Sequence, residues 1–252
     1  MNSTFASSYD LSGQVALITG AAGGIGMAIA RLFSERGCTL VMVDQSSAVA
    51  ESAASFGPQH LHFASDVSNE ADVKNVVAQS IAATGRIDIR INNAGIGLLA
   101  KAEEMSAAMW DQTMAVNLRG AFLYAREVGR HMLTRQYGRV INMASQAATI
   151  GLDQHLAYCS SKAALLGMTR VLALEWGGFG ITSNAISPTV VETALARRAW
   201  AGEVGEVFKR KIPTGRFAQP EEVAHTALYL ASPGAGMVNG VNLALDGGYT
   251  AI

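Results

Sequence analysis

Four polar residues in the middle of the chain have the types and spacing of a proton-transfer group. Tyr158 and Lys162 are four residues apart in the stretch AYCSSKAAL, so in a helix they lie on one face, one turn apart. Ser145 precedes the tyrosine by thirteen residues, and Asn117 lies in a long helical pattern upstream. Tyr158 is therefore a candidate acid, with Lys162 as the cation that adjusts its acidity. The alternative is an ordinary pair on a helix surface.

One positive charge is enough to change the acidity of a phenol in this way. A phenol has an ordinary pKa near 10, so work at pH 7 needs a shift of roughly three units, or about 4 kcal/mol. A single charge at about 4 Å supplies roughly 4 kcal/mol at an effective dielectric constant of 20. We therefore expect Lys162 to lower the pKa of Tyr158.

The four residues must be positioned by an α/β fold, because short apolar segments alternate with longer amphipathic ones. Strands are expected within residues 15–19, 39–44, 61–67, 87–95, 139–145, 181–187 and 241–248, and helices within 27–37, 69–84, 105–136, 155–177 and 220–231. Strands that are apolar along most of their length are typical of a parallel sheet covered on both faces. The sequence therefore predicts one doubly wound, Rossmann-type α/β domain of about seven strands.

The same pattern predicts how the chain is divided. Residues 11–252 are expected to form the single domain, and the polar residues 1–10 a flexible N-terminal tail. Residues 189–212 interrupt the alternation between two sheet elements, and they are predicted to form a helical flap that borders a substrate pocket.

A glycine-rich loop in TGAAGGIG, residues 19–26, follows the first predicted strand and opens a helix. Glycines allow a tight turn, and the helix N-terminus offers free N–H groups to a phosphate. Such a loop alone is weak evidence of nucleotide binding, but strand, loop and helix follow in the required order. The candidate phosphate-binding residues are Gly20, Gly23, Gly24, Ile25 and Gly26.

Asp44 ends the second predicted strand, where an acid would meet the ribose hydroxyls of an adenosine. Its carboxylate would repel a 2′-phosphate, and no Arg or Lys is adjacent, so NAD is predicted rather than NADP. The alternative is a turn-forming aspartate. Further candidates for cofactor binding follow the third and fourth strands, where ordinary strand-end turns are again the alternative. They are Asp66, Val67, Asn93, Ala94 and Gly95.

The chain resembles the short-chain dehydrogenase/reductase family, and the resemblance extends from about Leu11 to Gly248. It is carried by the motifs TGxxxGIG and NNAG together with Asn117, Ser145, Tyr158 and Lys162. The resemblance implies that Tyr158 is the general acid or base of alcohol–ketone interconversion. It also implies that Ser145 bonds the substrate oxygen and that Asn117 holds a water of a proton relay. Tyr158 and Lys162 would also contact the cofactor, the lysine through the nicotinamide ribose.

The segment PTVVET after the sixth strand resembles the part of the family that contacts the nicotinamide carboxamide. Pro188, Val191 and Thr193 match that pattern. Thr189 stands where the family usually has glycine, which puts the local backbone path in question. Arg90 is a second departure, in a strand that should be buried. It is expected to reach an edge, to pair with a carboxylate such as Asp66 or Asp88, or to be less buried than the pattern indicates.

The substrate pocket is expected between the loop 146–155, the flap 189–212 and residues 96–99. Polar candidates for substrate contacts are Ser145, Gln146, Gln154 and His155, although some of them could simply face water. The tail DGGYTAI resembles the galactitol-type polyol dehydrogenases of the family, which implies oxidation of a secondary alcohol of a polyol.

A 3-oxoacyl-carrier-protein reductase is the alternative, but Phe179 stands where those enzymes carry arginine, and Asp44 disfavours NADPH. A non-catalytic dinucleotide sensor is a third possibility, disfavoured because the catalytic set is complete.

Composition restricts the partners and the compartment. Only 15% of the 252 residues are charged and the net charge is −1, which gives no reason to expect nucleic acid or a membrane as a partner. Cys38 and Cys159 have no metal-ligand spacing, so no metal is expected. They are predicted to be thiols in a reducing cytosol, and a cytoplasmic protein is expected. The family resemblance implies a homotetramer formed through the helices 105–136 and 155–177.

Overall fold

The fold is described from a computed structural model that covers residues 9–251. The predicted tail over residues 1–10 therefore lies largely outside the described residues. The central sheet has seven strands, and all of them are parallel. They are β1 (Val15–Thr19), β2 (Thr39–Asp44), β3 (Leu61–Ala64), β4 (Ile89–Asn92), β5 (Gly138–Met143), β6 (Ile181–Pro188) and β7 (Asn242–Leu245).

The strand order, β3-β2-β1-β4-β5-β6-β7, confirms the doubly wound sheet that the alternation predicts. The chain winds outward from β1 in one direction and then returns to place β4 on the other side. This reversal leaves a crevice at the carboxyl ends of β1 and β4, which is where open α/β sheets bind ligands. The glycine-rich loop after β1 and the NNAG segment after β4 both lie at this crevice.

Helices cover both faces of the sheet. They are α1 (Gly24–Glu35), α2 (Val49–Ala54), α3 (Glu70–Thr84), α4 (Ala107–Met114), α5 (Gly120–Arg135), α6 (Leu156–Trp176), α7 (Ala194–Ala199), α8 (Glu203–Lys209) and α9 (Pro220–Ala231). The short helix α2 was not predicted from the sequence. Within the described residues, no helix combines the length and the apolar composition needed to cross a membrane.

The prediction of one continuous helix over residues 105–136 is wrong in one respect. A five-residue π-helical turn, Ala115–Arg119, separates α4 from α5. Such wide turns have no signature in the apolar periodicity, and they often occur at functional sites. The turn contains Asn117, so the distortion coincides with a predicted site residue.

The hydrophobic core has two layers because successive residues of a strand point to opposite faces. On one face, Ile18 of β1 packs in a cluster with Phe33 of α1 and Leu228 of α9. On the other face, Leu17 packs in a cluster with residues of α3 and α5, including Tyr124. The central strands are thus buried on both sides, which holds their carboxyl ends in fixed positions.

None of the three expectations for Arg90 is correct. Its side chain lies in the second layer and is only 1% exposed, so it does not reach an edge. The carboxylate of Asp88 instead accepts two hydrogen bonds from the guanidinium of Arg86, at 2.6 and 2.7 Å. The Arg90 guanidinium lies 4.6 Å from the ring centroid of Tyr124 and donates a hydrogen bond to the carbonyl of Ile91. Burial lowers the pKa of Arg90 to about 9, because no carboxylate offsets the loss of water.

Candidate active site

The loop between β1 and α1 has the backbone shape of an anion cradle. Gly20 has φ +66°, a region that favours glycine, and a Cβ added to Gly26 would lie 2.1 Å from the carbonyl oxygen of Gly20. No side chain caps the N-terminus of α1, where Gly23 is the N-cap residue. Its first-turn N–H groups are therefore free to bind a phosphate.

The NNAG segment is tied to this loop by hydrogen bonds. The side-chain amide of Asn93 donates to the carbonyls of Thr19 and Gly20 at 3.0 and 3.1 Å. The hydroxyl of Thr19 accepts the backbone N–H groups of Asn93 and Ala94, both at 3.2 Å. Thr19 was not among the predicted site residues, although its position between strand and glycine loop is a usable signal. The two loops therefore form one rigid wall of the crevice.

Asp44 lies at the end of β2, as predicted, and its carboxylate faces the glycine-rich loop. It accepts the backbone N–H of Ala22 at 3.0 Å and that of Ser46 at 3.0 Å. Asp44 therefore forms a turn through Ser46, and it also lies beside the glycine-rich loop through Ala22. Each carboxylate oxygen keeps a further lone pair that can accept a hydroxyl.

Asp66 and Val67 follow β3 on the same side of the sheet. Asp66 is exposed and accepts the backbone N–H and the hydroxyl of Ser68, each at 2.8 Å. Val67 is buried against Gly120, where an added Cβ would lie 3.0 Å from the Val67 carbonyl oxygen. The small residue at the start of α5 thus allows this strand end to approach the helix.

The π-helical turn carries Asn117, whose side chain is buried behind the loop after β4 and does not line the cavity described below. Its Oδ1 accepts the N–H of Ile96 at 2.8 Å, and its Nδ2 donates to the carbonyl of Ile96 at 2.9 Å. Nδ2 also donates to the hydroxyl of Ser161 at 3.0 Å. The residue therefore links the loop after β4 to α6, a structural role that the sequence does not reveal. A Cβ added to Gly95 would lie 3.3 Å from Asn117 Oδ1 and 3.4 Å from Lys162 Nζ, so these two polar groups lie on the same side of the loop.

Ser145, Tyr158 and Lys162 meet at the carboxyl end of β5. Tyr158 and Lys162 lie one turn apart on α6, and Lys162 Nζ is 5.6 Å from the centroid of the tyrosine ring. Nζ is held by a 2.7 Å hydrogen bond to the carbonyl of Met143, the last residue of β5. Both Ser145 and Lys162 are buried. The burial of Lys162 thus excludes the interpretation of the two residues as an ordinary pair on the helix surface.

The direction of the Tyr158 pKa differs from the expectation. Burial raises the pKa of Tyr158, and a hydrogen bond with Ser145 opposes this only in part. Burial also lowers the pKa of Lys162 to about 8, because no carboxylate stands beside the ammonium. The loss of water around both groups outweighs their mutual interaction, which an estimate from charge and distance alone omits. The phenol is therefore held in its protonated form at neutral pH.

These residues line a single cavity of about 410 Å³ at the carboxyl edge of the sheet. The predicted residues that line it are Ile25, Asn93, Gly95, Ser145, Gln146, His155, Tyr158, Lys162, Pro188, Val191 and Thr193. Several further lining residues fall within the three segments predicted to form the pocket. They are Ile96, Gly97, Leu99, Leu152, Thr189, Val190, Ala196 and Trp200. Met143 and Ala144, just before Ser145, were not predicted to line it.

Of the four polar candidates for substrate contacts, three line the cavity and one does not. Ser145, Gln146 and His155 line it. Gln154 is exposed instead, with φ +61°, and its amide donates to Asp153 at 3.1 Å. The left-handed backbone at Gln154 turns the side chain outward, which a sequence pattern does not indicate.

Residues 189–212 contain the two short helices α7 and α8. Thr193 caps α7 by accepting the N–H of Ala196 at 3.2 Å, and its methyl would lie 3.2 Å from a Cβ added to Gly24. Thr189 is buried and its φ is not positive, so the β-branched residue fits the path that glycine usually occupies. Trp200 packs on Phe208 at 4.7 Å between ring centroids and borders the cavity.

The crevice fits a dinucleotide. The cradle at Gly20 and Gly26 and the uncapped start of α1 suit a pyrophosphate, and Asp44 at the end of β2 suits a ribose. The buried ammonium of Lys162 opens onto the same cavity and suits hydroxyl oxygens. Three independent features along one crevice thus match three parts of such a cofactor.

Known proteins resemble the chain over most of its length. A family model described as enoyl-(acyl carrier protein) reductase matches residues 20–250. The NAD-dependent glycerol dehydrogenase of Listeria innocua is 48% identical over 98% of this chain and 97% of that protein. The D-threitol dehydrogenase of Mycolicibacterium smegmatis is 50% identical over 96% of this chain and 95% of that protein.

A solved structure extends the likeness to three dimensions. The gluconate 5-dehydrogenase of Burkholderia cenocepacia, in complex with NADP and tartrate, has a TM-score of 0.94 at 32% identity, covering 98% of this chain and 99% of that one. The agreement therefore holds in sequence and in overall fold. The chain therefore belongs to the short-chain dehydrogenase/reductase family, and it is a dehydrogenase that uses a nicotinamide dinucleotide on CH–OH groups.

Proposed function

We propose that the enzyme interconverts a secondary alcohol of a small polyol and the corresponding ketone, with NAD as the cofactor. The two relatives at 48% and 50% identity act on glycerol and D-threitol, which are short polyols. A cavity of about 410 Å³ is at the small end for ligand sites, which favours a short substrate. The carboxylate of Asp44 supports NAD rather than NADP, because it would repel a 2′-phosphate.

The observation that carries the proposal is the meeting of Ser145, Tyr158 and Lys162 in one buried cavity. A phenol beside a buried ammonium is a group that can exchange a proton near neutral pH once a substrate oxygen is bound to it. The hydroxyl of Ser145 stands beside the phenol and can hold the same oxygen. Burying the phenol and the ammonium costs free energy, which the pKa shifts of Tyr158 and Lys162 reflect.

In the proposed mechanism, Ser145 Oγ and Tyr158 Oη hold the oxygen of the carbinol. Tyr158 Oη takes the hydroxyl proton during oxidation and returns it during reduction. Lys162 stabilises the deprotonated phenol by its charge, and the carbonyl of Met143 holds the ammonium in place. Asn117 fixes the loop after β4 and takes part in the relay that renews the proton.

We assign cofactor binding to the predicted set. The residues are Gly20, Gly23, Gly24, Ile25, Gly26, Asp44, Asp66, Val67, Asn93, Ala94, Gly95, Tyr158, Lys162, Pro188, Val191 and Thr193. The cofactor, when bound, accepts a hydride from the carbinol carbon or returns it. Residues 189–212 act as the flap, since Thr193 above Gly24 and Trp200 at the cavity enclose the crevice from one side.

The Tyr158→Phe variant tests the mechanism. Removal of one hydroxyl should lower kcat by at least about 10²–10⁴, because the proton-transfer group is lost. NAD should still raise the melting temperature of the variant, since most of the cofactor contacts remain. Turnover is measured as reduced cofactor by absorbance, and binding by thermal shift. Near-normal turnover in this variant would refute the role of Tyr158.

We also propose a homotetramer that forms through α5 and α6. Val171 and Leu174 lie three residues apart on α6 and are 52% and 84% exposed, and Phe122 on α5 is 46% exposed. Large apolar groups clustered on neighbouring helices are typical of a contact surface. The cytoplasm is the proposed compartment, because Cys38 and Cys159 are free thiols.

A further inference from the structure

Gln146, the residue after Ser145, has a hydrogen-bonding group that the protein does not use. It lines the cavity, its side chain is 3% exposed, and Oε1 has no hydrogen-bond partner among the described residues. Leaving such an acceptor unpaired costs about 1–3 kcal/mol. A hydroxyl can supply the missing partner, because it donates to Oε1, and a hydroxyl oxygen can accept from Nε2.

His155 offers a second acceptor from the other side of the reacting groups. Its Nδ1 lies 2.5 Å from the carbonyl oxygen of Asp153, which can only accept, so Nδ1 carries the hydrogen. The neutral ring then has its lone pair on Nε2. The ring lies edge-on to Tyr158 at 6.0 Å between centroids and lines the same cavity. The contact with Tyr158 holds the ring beside the phenol.

The charges around the cavity favour a neutral substrate. Among the described residues that line it, Lys162 is the one Lys or Arg, and its ammonium is already bonded to Met143. The described lining holds no Asp or Glu. Leu99, Leu152 and Trp200 supply apolar surface that suits the C–H groups of a short carbon chain. A carboxylate at the far end of the substrate would thus lack a free cation in this lining.

We propose that Gln146 and His155 recognise a hydroxyl on the carbon next to the reacting carbinol, so that the enzyme selects the 1,2-diol unit of a neutral polyol. Gln146 follows Ser145 directly, the His155 ring packs edge-on against Tyr158, and both acceptors line the cavity that holds the carbinol oxygen. The neighbouring hydroxyl is one carbon away from that oxygen. This inference rests on the proposed function and adds the chemical feature that the site recognises.

The test compares 1,2-propanediol with 2-propanol, which differ by the one hydroxyl in question. The wild type, Gln146→Met and His155→Phe are assayed with NAD and both alcohols, and kcat/KM is measured for each. Met keeps the length of Gln without its acceptor, and Phe keeps a ring against Tyr158. Gln79→Met, on the exposed face of α3, is the matched control. Thermal shift with NAD establishes that each variant folds and binds cofactor.

The wild type should prefer the diol by at least about tenfold, and each site variant should lower that preference by roughly 10- to 100-fold, the value of one to two buried hydrogen bonds. The rate with 2-propanol should stay within about threefold of the wild type. An equal loss with both alcohols would assign Gln146 and His155 a structural role and overturn the inference.

Failure of the inference can be told apart from failure of the proposed function. If the wild type oxidises glycerol and threitol but does not prefer the diol over 2-propanol, the recognition of the second hydroxyl is wrong and the proposed function survives. If it oxidises gluconate and no neutral polyol, both are wrong. A gluconate assay is therefore run beside the neutral substrates.

Discussion

At the scale of single residues, the buried ammonium of Lys162 is the group that most constrains the chemistry. Burial lowers its pKa to about 8, so its charge is sensitive to mild alkali, and the carbonyl of Met143 accepts a hydrogen bond from it. Burial raises the pKa of Tyr158 at the same site. Proton transfer therefore depends on two neighbouring groups whose pKa values burial shifts in opposite directions.

The pKa shifts of Tyr158 and Lys162 predict how the rates of oxidation and of reduction depend on pH. Oxidation needs the deprotonated phenol, so its rate should rise with pH from 7 toward 9. Ketone reduction needs the protonated phenol, whose pKa burial raises above its ordinary value, so its rate should stay nearly level over the same range. Lys162→Met should lower oxidation at pH 7 by about 10²–10⁴, because the deprotonated phenol loses its neighbouring charge. In the same variant, the rise in oxidation rate should also occur at a higher pH than in the wild type. Initial rates between pH 6 and 10 measure this, and an unshifted profile in the variant would contradict it.

At the scale of secondary-structure elements, the strand β4 is unusual because it buries a charged side chain, which costs free energy of folding. Arg90 is surrounded by apolar residues, and its contacts are the ring of Tyr124 and the carbonyl of Ile91. The unfolded chain binds more protons than the folded one between pH 9 and 12.5, since the pKa of Arg90 drops from its ordinary 12.5 to about 9. The cost of this charge is thus fully present below pH 9 and falls as the pH rises above it.

Arg90→Met should therefore stabilise the protein at pH 7.5, by about 1–2 kcal/mol in free energy of unfolding. The gain should shrink above pH 9, where folded Arg90 begins to lose its proton. Denaturant unfolding at pH 7.5 and 10 measures both effects. Arg86→Met is the contrasting variant, and it should destabilise because it removes the bidentate partner of the buried Asp88. Destabilisation by Arg90→Met would show that its contacts outweigh the burial of its charge.

The elements themselves were largely predictable, and the exceptions have physical reasons. The seven strands follow from runs of apolar residues, because a parallel sheet buries both faces of each strand. The π-helical turn at Asn117 was not predictable, since it depends on hydrogen bonds to Ile96 and Ser161 that are distant in sequence. The outward turn of Gln154 and the burial of Arg90 likewise depend on tertiary packing rather than on local pattern.

At the scale of the whole molecule, the proposed tetramer depends on the exposed apolar groups of α5 and α6. α6 carries Tyr158 and Lys162 on one side and the exposed Val171 and Leu174 farther along. In the proposed assembly, contacts along this helix would hold the catalytic residues in position.

Leu174→Glu should dissociate the proposed tetramer, because a charge would be buried in an apolar interface. Light scattering after size-exclusion chromatography measures the mass, and a species smaller than the tetramer is expected. Gln79→Glu adds the same charge on the exposed face of α3 and should leave the assembly unchanged. A wild-type mass equal to one chain would contradict the proposed assembly.

Steady-state cofactor reduction measures whether the enzyme oxidises a neutral polyol with NAD. The wild type is assayed with NAD and with NADP, each against glycerol, threitol and galactitol, and in parallel against gluconate and a 3-hydroxyacyl thioester. We expect turnover with NAD and at least one polyol, with NADP at least about tenfold poorer because of the carboxylate of Asp44. Turnover only with NADP and the thioester would contradict both the cofactor and the substrate.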